Sequence, residues 1–455
     1  MKTNTHMLRM LLTSYVVLVS FSCEDFVRVD LPRSQITNSS VYEKDETAIA
    51  AASGMYASML QIQGFIGGVF NPISYLGGLS SDELIDYTGT APYAEFYNNA
   101  LNINNSVVLY VWSTGYNTIY EANAVIEGLE ASSTITGAVK MQLEGEAKFV
   151  RAFCHFYLVN LFGDVPIVTT TDYKQNAILP RTPAIQVYDK VVSDLKDAQN
   201  LLTDEYFTTE RTRPNKGAAS AMLARVYLYM KDYSNAESAA TSVINTENTY
   251  SLVPDLNQVF LANSNEAIWQ LTQVAPLPVP TGDGFAFIGS SSTSLSAQLI
   301  SAFETSDFRI ESWVTQNNSS YLPNKYKVRF ASPPYTEYLT VLRLAEMFLI
   351  RAESRAKQNN IVGAQDDLNE IRNRAGLDNT SANDQLTLLD AICHERRIEL
   401  FCEFGHRWLD LKRTNAANDV LGPIKPSWNA TDAYYPIPES EMLNNPQLKP
   451  QNNGY

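Results

Sequence analysis

Cysteine is scarce in this chain of 455 residues: there are four, at positions 23, 154, 393 and 402. None makes the CxxC spacing of a zinc or redox centre, and no disulfide framework is written into them. Cys393 and Cys402 fall roughly 180° apart around a helix running through both, which would forbid a bridge between them. Histidine is as rare, with four residues, and His394 and His406 share no metal-ligand spacing such as HExxH. No metal and no cofactor is therefore expected. Positive charge is in the minority, 34 basic residues against 49 acidic for a net charge of −15. That balance argues against nucleic acid or an anionic membrane surface as partner. Beyond position 21 no apolar run approaches the ~18 residues of a spanning helix.

One cysteine stands in an unusual place. Lys2 and Arg9 give a basic start, residues 10–21 are mostly apolar, and Ser22 then leads into Cys23. The run is too short to cross a bilayer, which takes ~20 helical residues. It reads as a lipoprotein signal peptide over 1–22, cleaved before Cys23, which is then acylated. Ser20 and Phe21 depart from the usual bacterial pattern, in which Leu lies three residues before the Cys. Residues 23–40 are polar and irregular and read as a tether from lipid to body.

Helical periodicity dominates the remainder. The spacing of apolar residues predicts helices over 45–60, 110–129, 139–161 and 185–202. The stretch "AMLARVYLYMKDYSNAESAATSVI" (221–244) places Leu223, Ala224 and Tyr227 on one helix, a turn at Lys231–Asp232, and Tyr233 and Ala236 on the next. Small residues where two antiparallel helices cross, with aromatics beside them, are the tetratricopeptide pattern. A degenerate second copy spans 346–376, with Ala352 and Ala364 at the small positions and Leu368 and Ile371 continuing the stripe. One such hairpin cannot bury its own face, so several must stack. Between the copies, residues 250–340 lose the helical period. They are loop-rich and too long for a plain connection.

Two C-terminal stretches carry a resemblance. "CHERRIELFCEFGHRWLDLKR" (393–413) resembles the ERRxEL…EGxRWxDLxR signature of the SusD/RagB-like outer-membrane nutrient-binding lipoproteins. "YYPIPESEMLNNPQLKPQNNGY" (434–455) resembles that family's PIPxxE…NPxLxQNxGY terminus, and 341–354 and 368–376 are similar to its other segments, in the family order. Phe404 and the extra Lys449-Pro450 are departures. The resemblance implies an all-α fold: tetratricopeptide-like hairpins packed with a loop-rich ligand-binding subdomain, divided into an N-terminal part (41–250) and a C-terminal part (251–455). It implies a non-enzymatic lipoprotein of the cell outer membrane, surface-exposed, with the acidic Glu24 and Asp25 favouring surface export. It also implies a partner, a TonB-dependent β-barrel transporter (SusC-like), for which the protein captures oligosaccharide or, in some branches, oligopeptide.

Glu395, Glu399 and Glu403 recur at four-residue steps beside Arg396, Arg397, Arg407 and Arg413. Paired carboxylates invite a glycoside-hydrolase reading, but the density of arginine favours a packed ion-pair network. The ligand site is expected instead among aromatics in loops, drawn from 25 Tyr, 19 Phe and 5 Trp. A sugar ring has a C–H face that suits flat aromatics and a hydroxyl rim that suits Asn and Asp. Residues 80–105 offer Asp82, Asp86, Tyr87, Tyr93, Phe96, Tyr97, Asn98 and Asn99. The second loop region offers Phe285, Phe287, Trp313 and Tyr321, near Arg309 and Lys325. A peptide binder of the same transport system, a surface glycan hydrolase and a pure tetratricopeptide adaptor are the alternatives.

Overall fold

Helices form where the apolar spacing foretells them, with bounds moved by a few residues. The computed structural model describes residues 41–246, 248–273 and 277–455; the signal peptide, Cys23 and the tether lie outside the described residues. In chain order the main helices are α1 (Asp45–Leu60), α2 (Ile73–Ser80), α3 (Tyr93–Asn98), α4 (Ser106–Ala131) and α5 (Gly137–Phe162). Then come α6 (Ala184–Leu201), α7 (Lys216–Tyr229), α8 (Tyr233–Ile244), α9 (Gly282–Phe287) and α10 (Phe308–Trp313). The C-terminal set is α11 (Leu344–Lys357), α12 (Ile361–Arg374), α13 (Gln385–Glu399), α14 (His406–Arg413) and α15 (Glu439–Asn444). Strands are short and pair only as antiparallel twos: β1 (Leu84–Asp86) with β3 (Thr293–Leu295), β2 (Ala267–Leu271) with β6 (Leu339–Arg343), and β4 (Val314–Asn317) with β5 (Ser320–Pro323). The fold is all-α in class, with tetratricopeptide-like hairpins.

The two repeat copies share their turn geometry. Lys231 and Asn359 both take the left-handed conformation, at φ 61° and 63°. Each is followed by a helix N-cap, Asp232 or Asn360, whose side chain accepts from the backbone N–H three residues on. Ala224, Ala236, Ala352 and Ala364 are fully buried at the helix contacts, and α7 is enclosed along its whole length from Ala218 because α5, α6, α8 and α11 all pack on it. Arg225 in α7 is buried and forks onto Glu346 of α11, at 2.8 and 2.6 Å. That pair, the α8–α11 contact and the strand pair β1–β3 join the chain on either side of residue 250.

The signature segment is not one continuous helix. α13 ends at Glu399, the chain turns through Cys402, Phe404 and Gly405 at φ 50°, 43° and 70°, and α14 starts at His406. The break lets α14 cross α2 with glycine against glycine: a Cβ on Gly77 would lie 2.7 Å from the Cα of Gly405. Cys154, Cys393 and Cys402 are free thiols.

The three signature glutamates are buried in an ion-pair network, but with other arginines than the adjacent ones. Glu395 receives Arg309 at 2.5 Å and Arg372 at 3.3 Å. Glu399 receives Arg309 at 3.0 Å, Arg343 at 2.5 Å and also Arg374. Glu403 receives Arg343 at 2.7 Å and also Lys325. Arg396 and Arg413 turn instead to Asp410, and Arg397 and Arg407 to Asp82. Long-range packing, not sequence adjacency, selects the partners.

Candidate functional site

The long connections of the chain converge on one face. β1 and β3 register Leu84 with Leu295 and Asp86 with Thr293, which brings the 80–105 stretch against the 281–296 stretch. A third segment, the glycine-rich turn at 61–70, abuts α9 so closely that a Cβ on Gly282 would lie 2.6 Å from the carbonyl oxygen of Gly68. A fourth, 326–335, is tied down by Tyr335, whose hydroxyl donates to Leu277 O at 2.7 Å.

On this face Phe285 stands at the centre of an aromatic cluster. Phe70 meets it edge-on at 5.4 Å and Phe330 at 5.9 Å; Phe70 is 46% exposed and Phe330 is 59% exposed. The Arg329 guanidinium lies over Phe285 and Phe330, at 5.1 and 5.3 Å, and its Nε has no hydrogen-bond partner among the described residues. Next to Phe70, Asn71 accepts from the Tyr93 hydroxyl at 2.9 Å. The Tyr93 ring packs on Tyr75 at 5.5 Å, and Tyr75 packs on Phe287. Tyr87, 55% exposed, shares a hydrogen bond with Ser294 Oγ at 2.9 Å. Exposed aromatic surface beside a guanidinium and short polar side chains is the chemistry that binds a hydroxylated ring.

The expected site residues therefore divide. Tyr87, Tyr93 and Phe285 are on the face. Asn98 is exposed at the end of α3, and Tyr97 is half-buried with the Lys425 ammonium 5.3 Å over its ring. Asp86 points into its own turn, accepting from Thr88 and Gly89. Several others are structural. Phe96 is fully buried edge-on to Tyr435, and Phe287 is 3% exposed beneath the face. Asn99 is buried and ties its amide to Ser80 O. Trp313 is fully buried, donates to Leu256 O and lies under Lys325; Arg309 and Lys325 belong to the ion network. Asp82 is enclosed by Arg397 and Arg407. Tyr321 lies in the β4–β5 hairpin, packed partly against the core. Phe70, Asn71, Arg329 and Phe330 were not singled out from the sequence. The rule used there, flat aromatics beside Asn or Asp in a loop, points to Phe70–Asn71 and not to Arg329–Phe330.

Beneath the face sit two carboxyls with little compensation. Burial, aided by neighbouring Asp82, pushes Glu83 up to about 8; burial pushes Asp283 up to about 7, against the Ser74 hydroxyl that donates to it at 3.0 Å. A cavity of about 10 Å³ between Asp283, Lys325 and Cys402 has room for one water. A carboxyl whose folded pKa exceeds its unfolded value favours folding most below the unfolded pKa. That advantage disappears as pH rises through the folded pKa. Glu83→Gln should thus be close to neutral at pH 5 and more stable than the parent by roughly 2–4 kcal/mol at pH 9. Thermal melts of the two proteins across that range measure it; an equal difference at both ends would show Glu83 ionised throughout.

Stacked helical hairpins bearing a loop-borne aromatic face define a tetratricopeptide-like protein built to present a binding surface. The chain belongs to the SusD family of starch- and glycan-binding proteins. Residues 81–228 match the family described as starch-binding associating with outer membrane, and 308–455 match the SusD family. A SusD-like protein P2 of Formosa agariphila is 28% identical over 89% of this chain and 92% of its own. The starch-binding protein SusD of Bacteroides thetaiotaomicron is 23% identical over 72% and 75%. Among solved structures, a laminarin-binding SusD-like protein superposes with a TM-score of 0.77 at 25% identity, covering 91% of this chain and all of the other. A SusD-like protein of Bacteroides fragilis shares the fold at a TM-score of 0.79 and 21% identity, covering 93% of this chain and 100% of its own. No helix among the described residues is long and apolar enough to cross a membrane.

Proposed function

We propose that the protein captures neutral oligosaccharide on the Phe70–Phe285–Phe330 face and delivers it to a TonB-dependent, SusC-like β-barrel transporter. It is held at the outer surface of the outer membrane by acylated Cys23, and it binds without turning its ligand over. The observation that carries the reading is the exposed aromatic cluster with Arg329 laid across it. Such a surface has no part in helix packing and costs solvation unless a ligand covers it. Membership of a glycan-binding family and the likeness to a laminarin-binding protein support the ligand class. Tyr87 and Tyr93 extend the face, and Asn98 lies beyond them on α3.

Calorimetry with a panel of neutral oligosaccharides tests it. Phe330→Ala and Phe285→Ala should each weaken binding, by up to ~2 kcal/mol for the central Phe285. The exposed Phe330 can be truncated without changing the melt. Binding that survives both substitutions would place the site elsewhere, and capture of peptides from a protein digest in preference to sugars would assign the face to the peptide branch. Mass spectrometry of protein from native membranes should find an acylated Cys23 at the mature N-terminus; an unmodified Cys23 would overturn the anchor.

A further inference from the structure

A second concave site lies between α4, the 166–177 connection and α15, and shares no residue with the aromatic face. It is an open groove of about 390 Å³, within the range of small-ligand sites. α4 lays Trp112, Tyr116 and Tyr120 along it at four-residue steps, each step about 6 Å along the helix axis. Trp112 is buried at the base and packs on Tyr116 at 5.0 Å. The Tyr116 hydroxyl is held by Pro166 O at 3.0 Å. Tyr120, 46% exposed, forms one rim, and Tyr173, 73% exposed, forms another. The polar lining comes from Glu441, Asn444, Asn445, Asn176 and Thr171. Burial raises the Glu441 carboxyl, and the nearby Trp112 indole partly offsets that rise. Asn176 donates to Thr170 O at 2.8 Å, and its Oδ1 is buried with no partner among the described residues.

The lining selects its ligand by what it offers. Among the described residues no Lys, Arg or His lines the groove; Lys174 lies outside it, 6.0 Å over the Tyr173 ring, so an anion within the groove would meet Glu441 first. A plain aliphatic chain would cover Glu441, Asn444 and Asn176 without supplying donors, and burying such groups unpaired is costly. A neutral sugar ring meets both demands, with a C–H face for the tyrosines and hydroxyl donors for the acceptors. The ascending tyrosines give successive rings successive platforms. We propose that this groove is a second saccharide site, taking one or two neutral pyranose rings. Only the chemical class of ligand is shared with the proposed function above; the residues are separate.

Saturation-transfer NMR on the full chain, with glucose, maltose, laminaribiose and cellobiose as probes, separates the two sites. At least one probe should keep its signal in Phe285→Ala and lose it in Tyr120→Ala and in Tyr173→Ala, with a Kd raised about ten-fold or more. Both tyrosines are exposed, so their variants should melt as the parent does. If Phe285→Ala removes every signal, the groove is not a site and the face alone binds. If the tyrosine variants remove every signal while Phe285→Ala removes none, the groove stands and the reading of the face falls. No transfer to any of the four probes in the Phe285→Ala protein overturns the groove. A neutral peptide amide that binds there when the sugars do not overturns its saccharide class.

Discussion

Glu399→Ala should destabilise the protein by about 3–5 kcal/mol, the cost of leaving buried charges without their partner. The carboxylate is fully buried and takes Arg309 and Arg343 at 3.0 and 2.5 Å, with Arg374 as a third partner. Removing it leaves three neighbouring guanidinium groups one carboxylate short, with Glu395, Glu403 and Glu266 still holding them. The same site sets an acid limit. Burial pushes the Glu399 carboxyl up, but Arg374, Arg343 and Arg309 outweigh it and hold the group well below the usual carboxylate range. A group of this sign lends stability above its unfolded pKa and loses it as pH falls through the folded one. Acid should therefore weaken the parent protein through this network while leaving Glu399→Ala less affected. Urea unfolding at pH 7 and again well below pH 4 measures both effects. Sugar affinity of the folded variant should match the parent; lost binding with an unchanged unfolding curve would mean that Glu399 faces ligand.

Asp82→Ala should cost about 3 kcal/mol, towards the lower end of the range for a broken buried pair, because both partner arginines keep one edge in water. Arg397 reaches its Oδ2 at 2.7 Å, and Arg407 takes Oδ1 at 2.7 Å and Oδ2 at 3.0 Å. Its loss leaves two like charges adjacent and frees β1 from α13 and α14. Asp82→Asn keeps the shape and should recover only part of the loss. Chemical unfolding reads the cost, and calorimetry reads the ligand. Stability equal to the parent together with abolished sugar binding would return Asp82 to the site, where the sequence pattern alone had put it.

That misplacement shows where sequence legibility ended. The helices, the repeat hairpins and their turns were legible because periodicity and capping residues are local. α1 spans the expected 45–60, and Asp232 and Asn360 cap as their residue types suggest. The loop-rich character of 250–340 was legible for the same reason. Which loop aromatics face solvent was not, because a distant segment decides it. Phe96 and Tyr87 look alike in a polar stretch; Tyr435 comes from the C-terminal tail to cover one, while the other stays 55% exposed. Trp313 is claimed by Lys325 and Leu256 in the same way. The counter-ions of the signature glutamates were missed because Arg309, Arg343 and Arg374 reach them through space. Phe70 was overlooked although its neighbour Asn71 carries the polar cue, and Phe330 was overlooked because its neighbour Arg329 does not.

Phe70, Phe285 and Phe330 come from three different connections, and none of them lies on a helix of the repeat hairpins. The hairpins hold their own contacts through α7, α8, α11 and α12 whatever those connections carry. The exposed aromatic face and the packing of the hairpins thus lie in different stretches of chain. Changes confined to the exposed Phe70 and Phe330 can alter that face and leave the chassis intact, as a tool head is changed on one handle, whereas Phe287 and β3 of the 281–296 connection belong to the handle.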